Sequence, residues 1–114
     1  MSCIFCKIVE GSVPSTKVLE TDTVLAFRDV NPVAPEHILI IPKKHIPTMN
    51  DVAEEDLPLI GDMIRAAQQI AEMVGIKERG YRLVNNCNAE GGQSVYHLHF
   101  HLLGGRKLSH NLGG

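Results

Sequence analysis

Val95-Tyr96-His97-Leu98-His99-Phe100-His101-Leu102-Leu103 decides how the rest of the chain is read. Imidazole and apolar side chains alternate through it, the period of a β-strand, whose successive side chains point to opposite faces. The alternation predicts a strand over 95–103 with His97, His99 and His101 on one face. Tyr96, Leu98, Phe100 and Leu102 take the other, against a helix. Three of the chain's six histidines thus share one face, a spacing too regular for polar residues scattered along a solvated edge. A single metal ion held by all three is awkward. The Cα atoms of the outer two lie roughly 13 Å apart on an extended strand, whereas ligands must converge to about 2 Å from the ion. The row suits an extended substrate better, with different work at each ring: near neutral pH imidazole is available both as a nucleophile and as a protonated phosphate donor.

Working outward, Gly91-Gly92-Gln93-Ser94 leads directly into the row. Glycine lets backbone N–H groups approach an anion closely, and the amide and hydroxyl add donors. A plain turn is the alternative, and Asn86 at the start of the same loop is equally open. Upstream, residues 81–85 read as a strand, and residues 54–74 as the long helix. Acidic Glu54, Glu55 and Asp56 fall in its first turn, Pro58 is tolerated near its start, and Gly75 stands just past its end. Leu57, Ile60, Ile64, Ala67, Ala71 and Val74 form one apolar stripe; Leu59, Met63, Ala66, Ile70 and Met73 form a second beside it. The combined arc is near 200° by helical-wheel arithmetic, so two surfaces are expected to cover it. A lone chain would leave one stripe, such as the second, exposed.

Residues 37–41 read as a strand ended by Pro42, residues 17–19 and 23–27 as a hairpin, and residues 3–9 as a short helix. The order α-β-β-β-α-β-β favours an α+β domain with a mainly antiparallel sheet of five strands, one long helix and one short. At 114 residues, 44% hydrophobic, the chain is one domain, 1–114, with a tail at 107–114. A net charge of −2 with interspersed signs disfavours a nucleic-acid surface or a polybasic membrane patch. No apolar run is long enough for a membrane span, and Lys7 and Glu10 interrupt any signal-peptide core; the reading is cytoplasmic. Three cysteines, Cys3, Cys6 and Cys87, then stand as thiols or metal ligands.

His97-Leu98-His99-Phe100-His101-Leu102-Leu103 resembles the His-φ-His-φ-His-φ-φ pattern, φ apolar, of the histidine-triad (HIT) family. Its Hint branch, of the bacterial purine nucleoside phosphoramidase type, is also resembled by several flanking runs. These are Gly91-Gly92-Gln93-Ser94-Val95-Tyr96, Gly104-Gly105-Arg106, Asn31-Pro32-Val33-Ala34-Pro35-Glu36-His37 and Ile41-Pro42-Lys43-Lys44-His45. The resemblance implies a HIT-like fold that pairs with a second copy into a ten-stranded sheet. It also implies hydrolysis of adenosine 5′-phosphoramidate-like substrates, cleaving P–N or P–O bonds at the α-phosphate. His99 would attack phosphorus and carry the nucleotidyl group; His101, the N–H groups near Gly92 and Gln93, and Ser94 would hold phosphate oxygens. His97 and His37 would form the supporting network, Asp29 receive the ribose hydroxyls, Asn86 sit beside the phosphate and Phe27 wall the base pocket. His101, where the uridylyltransferase branch has glutamine, favours hydrolysis.

Cys3 and Cys6 have the C-x₂-C spacing of a zinc half-site. Ordinary thiols on one face of a short helix are the alternative, and no βαβ context supports a redox pair. Bacterial relatives sharing Cys-Ile-Phe-Cys point to His45 and His97 as the remaining ligands of a structural zinc, with no catalytic metal required. Competing functions are a nucleotide-binding regulatory module without turnover, a dinucleoside polyphosphate hydrolase, and a metal-dependent hydrolase centred on the histidine row. The chain ends Ser109-His110-Asn111-Leu112-Gly113-Gly114 where eukaryotic Hint proteins carry Trp-Pro-Pro-Gly.

Overall fold

A computed structural model describes residues 3–112; Gly113 and Gly114, the end of the tail 107–114, lie outside the described residues. In chain order the elements are α1 (Ile4–Glu10), β1 (Lys17–Glu20), β2 (Val24–Arg28), β3 (Glu36–Pro42), α2 (Leu57–Met73), β4 (Tyr81–Val84) and β5 (Phe100–Gly104). The strands form one antiparallel sheet in the order β1-β2-β3-β5-β4, as the α+β reading expects. β2 and β3 are buried on both faces, and their two side-chain sets feed two cores. Val24, Ala26, Ile38 and Ile40 pack with Leu98, Phe100 and Leu102 against Met63, Ala66, Ala67 and Ile70 of α2. Leu25, Phe27, Leu39 and Ile41 meet Phe5 and Ile8 of α1 on the opposite face.

Local chemistry sets the helix ends. Cys3 caps α1, its Sγ accepting the Cys6 N–H at 3.3 Å, so the helix starts one residue later than the sequence suggests. Glu54–Asp56 is a separate 3₁₀ turn, and α2 begins at Leu57 with Pro58 in its first turn, where the missing N–H costs no helical bond. At the far end Gly75 adopts φ 78°. The Ile76 N–H reaches back to Ala71 O and the Gly75 N–H to Glu72 O, a Schellman closure with Ile76 buried beneath it.

Three expectations change. The strand predicted over 95–103 is laddered only from Phe100. Both neighbours run out: β3 pairs no further than Ile40 with Phe100, and β4 no further than Val84 with His101. Residues 97–99 nevertheless keep the alternation, because side chains and a loop carbonyl replace the ladder: Leu98 N–H donates to Ile46 O at 2.7 Å, and Asn85 Nδ2 donates to His99 O at 2.9 Å. Tyr96 does not join Leu98 under α2; it is 46% exposed. Finally, α2 turns Leu59, Met63, Ala66 and Ile70 to the sheet together with Ala67 of the other stripe, so the chain's open helix face carries Leu57 and Ile64 together with Met73.

Candidate active site

Antiparallel pairing of β3 with β5 puts His101 opposite Leu39 and His37 opposite Leu103. Opposed residues share a face, so His37, His101 and the Phe27/Leu39 core lie on the α1 side of the sheet. There they line a cleft of about 600 Å³ with Phe5, Asp29, Ser94 and His99, within the usual range of small-molecule sites. Phe5 stands edge-on to His99, 5.1 Å between ring centres, and to Phe27 at 5.5 Å.

A neutral imidazole has one N–H and one lone pair, so a partner on one nitrogen dictates the other. His99 Nδ1 lies 2.7 Å from His97 O; it must donate, which leaves Nε2 as a bare lone pair. His37 Nδ1 accepts the Val33 N–H at 3.1 Å, so its proton is on Nε2. That nitrogen is 2.9 Å from His101 Nδ1 and 3.4 Å from Asp29 Oδ2. Donation to His101 leaves His101 with its own proton on Nε2. Burial lowers the pKa of all three rings against the pull of the Asp29 carboxylate. The neighbouring rings His99 and His37 add to the effect at His101, which falls to about 4. The site therefore presents, uncharged at neutral pH, a nucleophilic nitrogen beside an N–H donor.

His97 faces away from this work. Its Nε2 donates to Pro42 O at 2.8 Å, and its Nδ1 lone pair meets Cys3 Sγ at 3.4 Å, Cys6 Sγ at 3.5 Å and His45 Nδ1 at 3.2 Å. Cys6 Sγ is also 3.3 Å from His45 Nδ1. Such spacings are close to the about 3.3–3.8 Å edges of a tetrahedron around zinc with nitrogen and sulfur ligands. Facing ring nitrogens at 3.2 Å repel unless a proton or cation lies between them, and burial, then the Cys3 thiol and Glu10, push Cys6 up to about 11. The donor set fits a divalent cation that would displace those protons. Asp29, His37 and His101 also converge closely enough to hold a metal, but His37 has already committed its Nδ1 lone pair to the Val33 N–H.

The sequence-derived site residues divide into two groups. Phe27, Asp29, His37, Ser94, His99 and His101 come together in the cleft, while Cys3, Cys6, His45 and His97 form the second cluster. Gly92 and Gln93 depart from expectation. The Gly92 N–H is bound to Ala89 O and the Gln93 N–H to Asn88 O, since the loop closes on itself as a turn. The Gln93 side chain is buried, joining Asn88 N, Pro47 O and Val95 O. Asn86 donates to Gly91 O at 2.7 Å, so these three residues shape the loop and leave Ser94 to face the cleft. Phe5, the Val33 N–H, the Pro42 carbonyl and Asn85 were missed; Phe5 alone had a signal, its place between the two cysteines.

The HIT domain family model matches residues 10–108. Purine nucleoside phosphoramidase of Escherichia coli (strain K12) is 56% identical over 105 residues, 92% of this chain and 88% of that protein. A crystal structure of a HIT family hydrolase from Legionella pneumophila superposes with a TM-score of 0.96 at 52% identity, covering 98% of this chain and all of that one. A histidine triad protein from Clostridium difficile gives 0.93 at 49% identity, covering 96% and 95%.

Acid should weaken the fold through His101. Its native pKa of about 4 lies below the ordinary value of 6.5, so between the two the unfolded chain binds the extra proton and stability rises with pH. The contribution is full above about pH 6.5 and is lost as pH falls toward 4. Thermal melting from pH 7 to 4.5 should fall less steeply for His101→Asn than for the wild type; equal slopes would contradict the assignment.

Proposed function

The chain belongs to the HIT domain family, and we propose that it is a hydrolase of purine nucleoside 5′-phosphoramidates that works through a nucleotidyl group carried on His99. One observation carries the reading: the bond from His99 Nδ1 to the His97 carbonyl two residues earlier. It leaves Nε2 bare, neutral and aimed into a cleft large enough for a nucleotide. The activity named for the E. coli relative supports the choice of substrate.

The steps follow from the tautomers. His99 Nε2 attacks the α-phosphorus, and a P–N bond forms to the ring as the P–N bond to the amine breaks; the amine departs with a proton taken from solvent water. Water then attacks the same phosphorus, breaks the bond to His99 and releases the nucleoside monophosphate. The His101 N–H and the Ser94 hydroxyl stabilise charge on the phosphate oxygens in both steps. Asp29 receives the ribose hydroxyls, Phe27 walls the base, and His37 holds His101 in its donor form. His97 supports the row from behind. A dinucleoside polyphosphate would present the same α-phosphorus to the same nucleophile, with a phosphate as leaving group, but a binding module without turnover has no use for a bare nitrogen at this position.

Cys3, Cys6, His45 and His97 are assigned to a structural zinc. Bound there, the metal supplies no step of the reaction; it ties the N-terminus of α1 to the segment that precedes His99. The unit is one HIT domain at work in the cytoplasm, a reducing setting that suits three cysteines outside any disulfide; among the described residues no helix is long and apolar enough to cross a membrane. It pairs with a second copy into a ten-stranded sheet, and the second copy would also cover Leu57, Ile64 and Met73 of α2.

Three measurements check this reading. His99→Ala should lose hydrolysis by more than about a hundredfold while keeping nucleotide affinity, and His101→Ala should lose less; wild-type turnover in the His99 variant would refute the nucleophile. Native mass spectrometry should find one zinc per chain, absent in Cys3→Ser/Cys6→Ser, whose melting temperature falls more than its kcat; metal-free protein unmoved by added zinc would leave the cysteines as thiols. Light scattering should give twice the 12.5 kDa chain mass, and a value near the single-chain mass would refute the dimer.

A further inference from the structure

The donor nitrogen of His101 depends on groups that do not bond to the reacting phosphate: His37 and, behind it, Val33, both on the cleft wall. His37 and His101 can share one proton between them in two registers. With His37 protonated at Nε2, His101 accepts at Nδ1 and offers an N–H to the cleft. With His37 protonated at Nδ1, its lone pair would face His101, drive the His101 proton to Nδ1, and leave a bare Nε2 lone pair against an anionic oxygen. Neither ring selects between these registers. Asp29 does not impose one by itself: Oδ1 is taken by the Asn31 N–H at 2.8 Å, and Oδ2 stands at 3.4 Å from His37 against 2.9 Å for His101. What forbids the second register is the Val33 N–H, which points at His37 Nδ1 from 3.1 Å and cannot face another proton.

Val33 lies in a loop with no ladder of its own, and its side chain is 63% exposed, so packing does not hold it. Its carbonyl is held instead by Arg106 Nη2 at 3.1 Å, while Arg106 Nη1 is anchored on Lys107 O at 3.0 Å. Beside it, Gly105 sits at φ 92°, and a Cβ there would come within 2.9 Å of Pro35 Cβ. The Gly105-Arg106 pair that follows β5 therefore grips both ends of the Val33-Ala34-Pro35 run.

We propose that Arg106 and the backbone N–H of Val33 are positioning residues that set the tautomer of His37 and, through it, keep the His101 proton on the nitrogen facing the substrate. This rests on the hydrolase reading of the same site. Arg106 itself lies outside the cleft. An arginine suits the task because its planar fork can hold two carbonyls in fixed directions at once.

Nitrogen-15 spectra of ring-labelled protein at pH 7.5 report each tautomer directly, whether or not any substrate is turned over. Wild type should show both His37 and His101 protonated at Nε2. Val33→Pro removes the N–H, and Arg106→Ala releases the carbonyl; both should move His37 and His101 toward the Nδ1–H form. Against adenosine 5′-phosphoramidate, kcat of Arg106→Ala should fall by about tenfold or more, with KM changed less than about twofold. Arg106→Lys, which restores one donor to the carbonyl, should recover part of both the spectrum and kcat. Unshifted tautomers in Arg106→Ala would overturn the proposal, as would shifted tautomers with unchanged kcat in an active protein. A wild type that turns over no phosphoramidate would defeat the hydrolase reading, while the spectra would still decide the positioning claim.

Discussion

One proton and one lone pair per neutral imidazole is the constraint on which this structure turns. Four histidines are packed into the α1 side of the sheet and the edge beside it, and each has one nitrogen claimed by something it cannot choose. His99 gives its proton to the His97 carbonyl, His97 gives its own to Pro42, and His37 receives one from Val33. From those three bonds the remaining nitrogens follow: a lone pair at His99, a lone pair at His97 facing sulfur, and a donor passed from His37 to His101. Burial keeps the rings uncharged, so the pattern persists at neutral pH. A charged ring would have donors on both nitrogens and would lose the distinction.

Packing holds these bonds in place. β2 and β3 are buried on both faces, so neither can shift register without exchanging side chains of unlike size between the two cores, such as Ala26 for Phe27. α1 is short, yet it closes the cleft with Phe5 and Ile8 and begins at the cysteine that also reaches His97. The cysteine and histidine corner and the cleft are thus linked by a single turn of helix. A disturbance at Cys3 or Cys6 would be felt at the ring of His99 through Phe5, with no contact to the substrate required.

Much of this arrangement is legible in the chain. The imidazole row has a period of two, so its common face follows from strand geometry alone, and Gly75 marks the end of α2 because only a residue at ease with positive φ closes that motif. The length of the last strand is not legible in the same way, since it depends on where β3 and β4 stop, and Tyr96 left the apolar face for that reason. Gly92 and Gln93 have the right composition for an anion loop, but whether an N–H is free depends on a turn that the composition also favours. The two stripes of α2 are equally apolar, and the sheet's position decides that Met63, Ala66 and Ile70 of one and Ala67 of the other are covered while Leu57, Ile64 and Met73 stay open. The tautomers were beyond reach from the sequence: they are set by main-chain groups of Val33, Pro42 and His97, and a main-chain group leaves no mark in the residue letters.

The central claim is that the bare Nε2 of His99 becomes covalently bonded to phosphorus. Its most direct test is the mass of the intact protein, quenched in alkali within milliseconds of mixing with adenosine 5′-phosphoramidate, since a phosphorus–histidine bond is stable in base and lost in acid. The account predicts one adenylyl group per chain, mapped by peptide sequencing to His99 and absent in His99→Ala. Turnover with no adduct at any time point, or an adduct mapped to another residue, would contradict it.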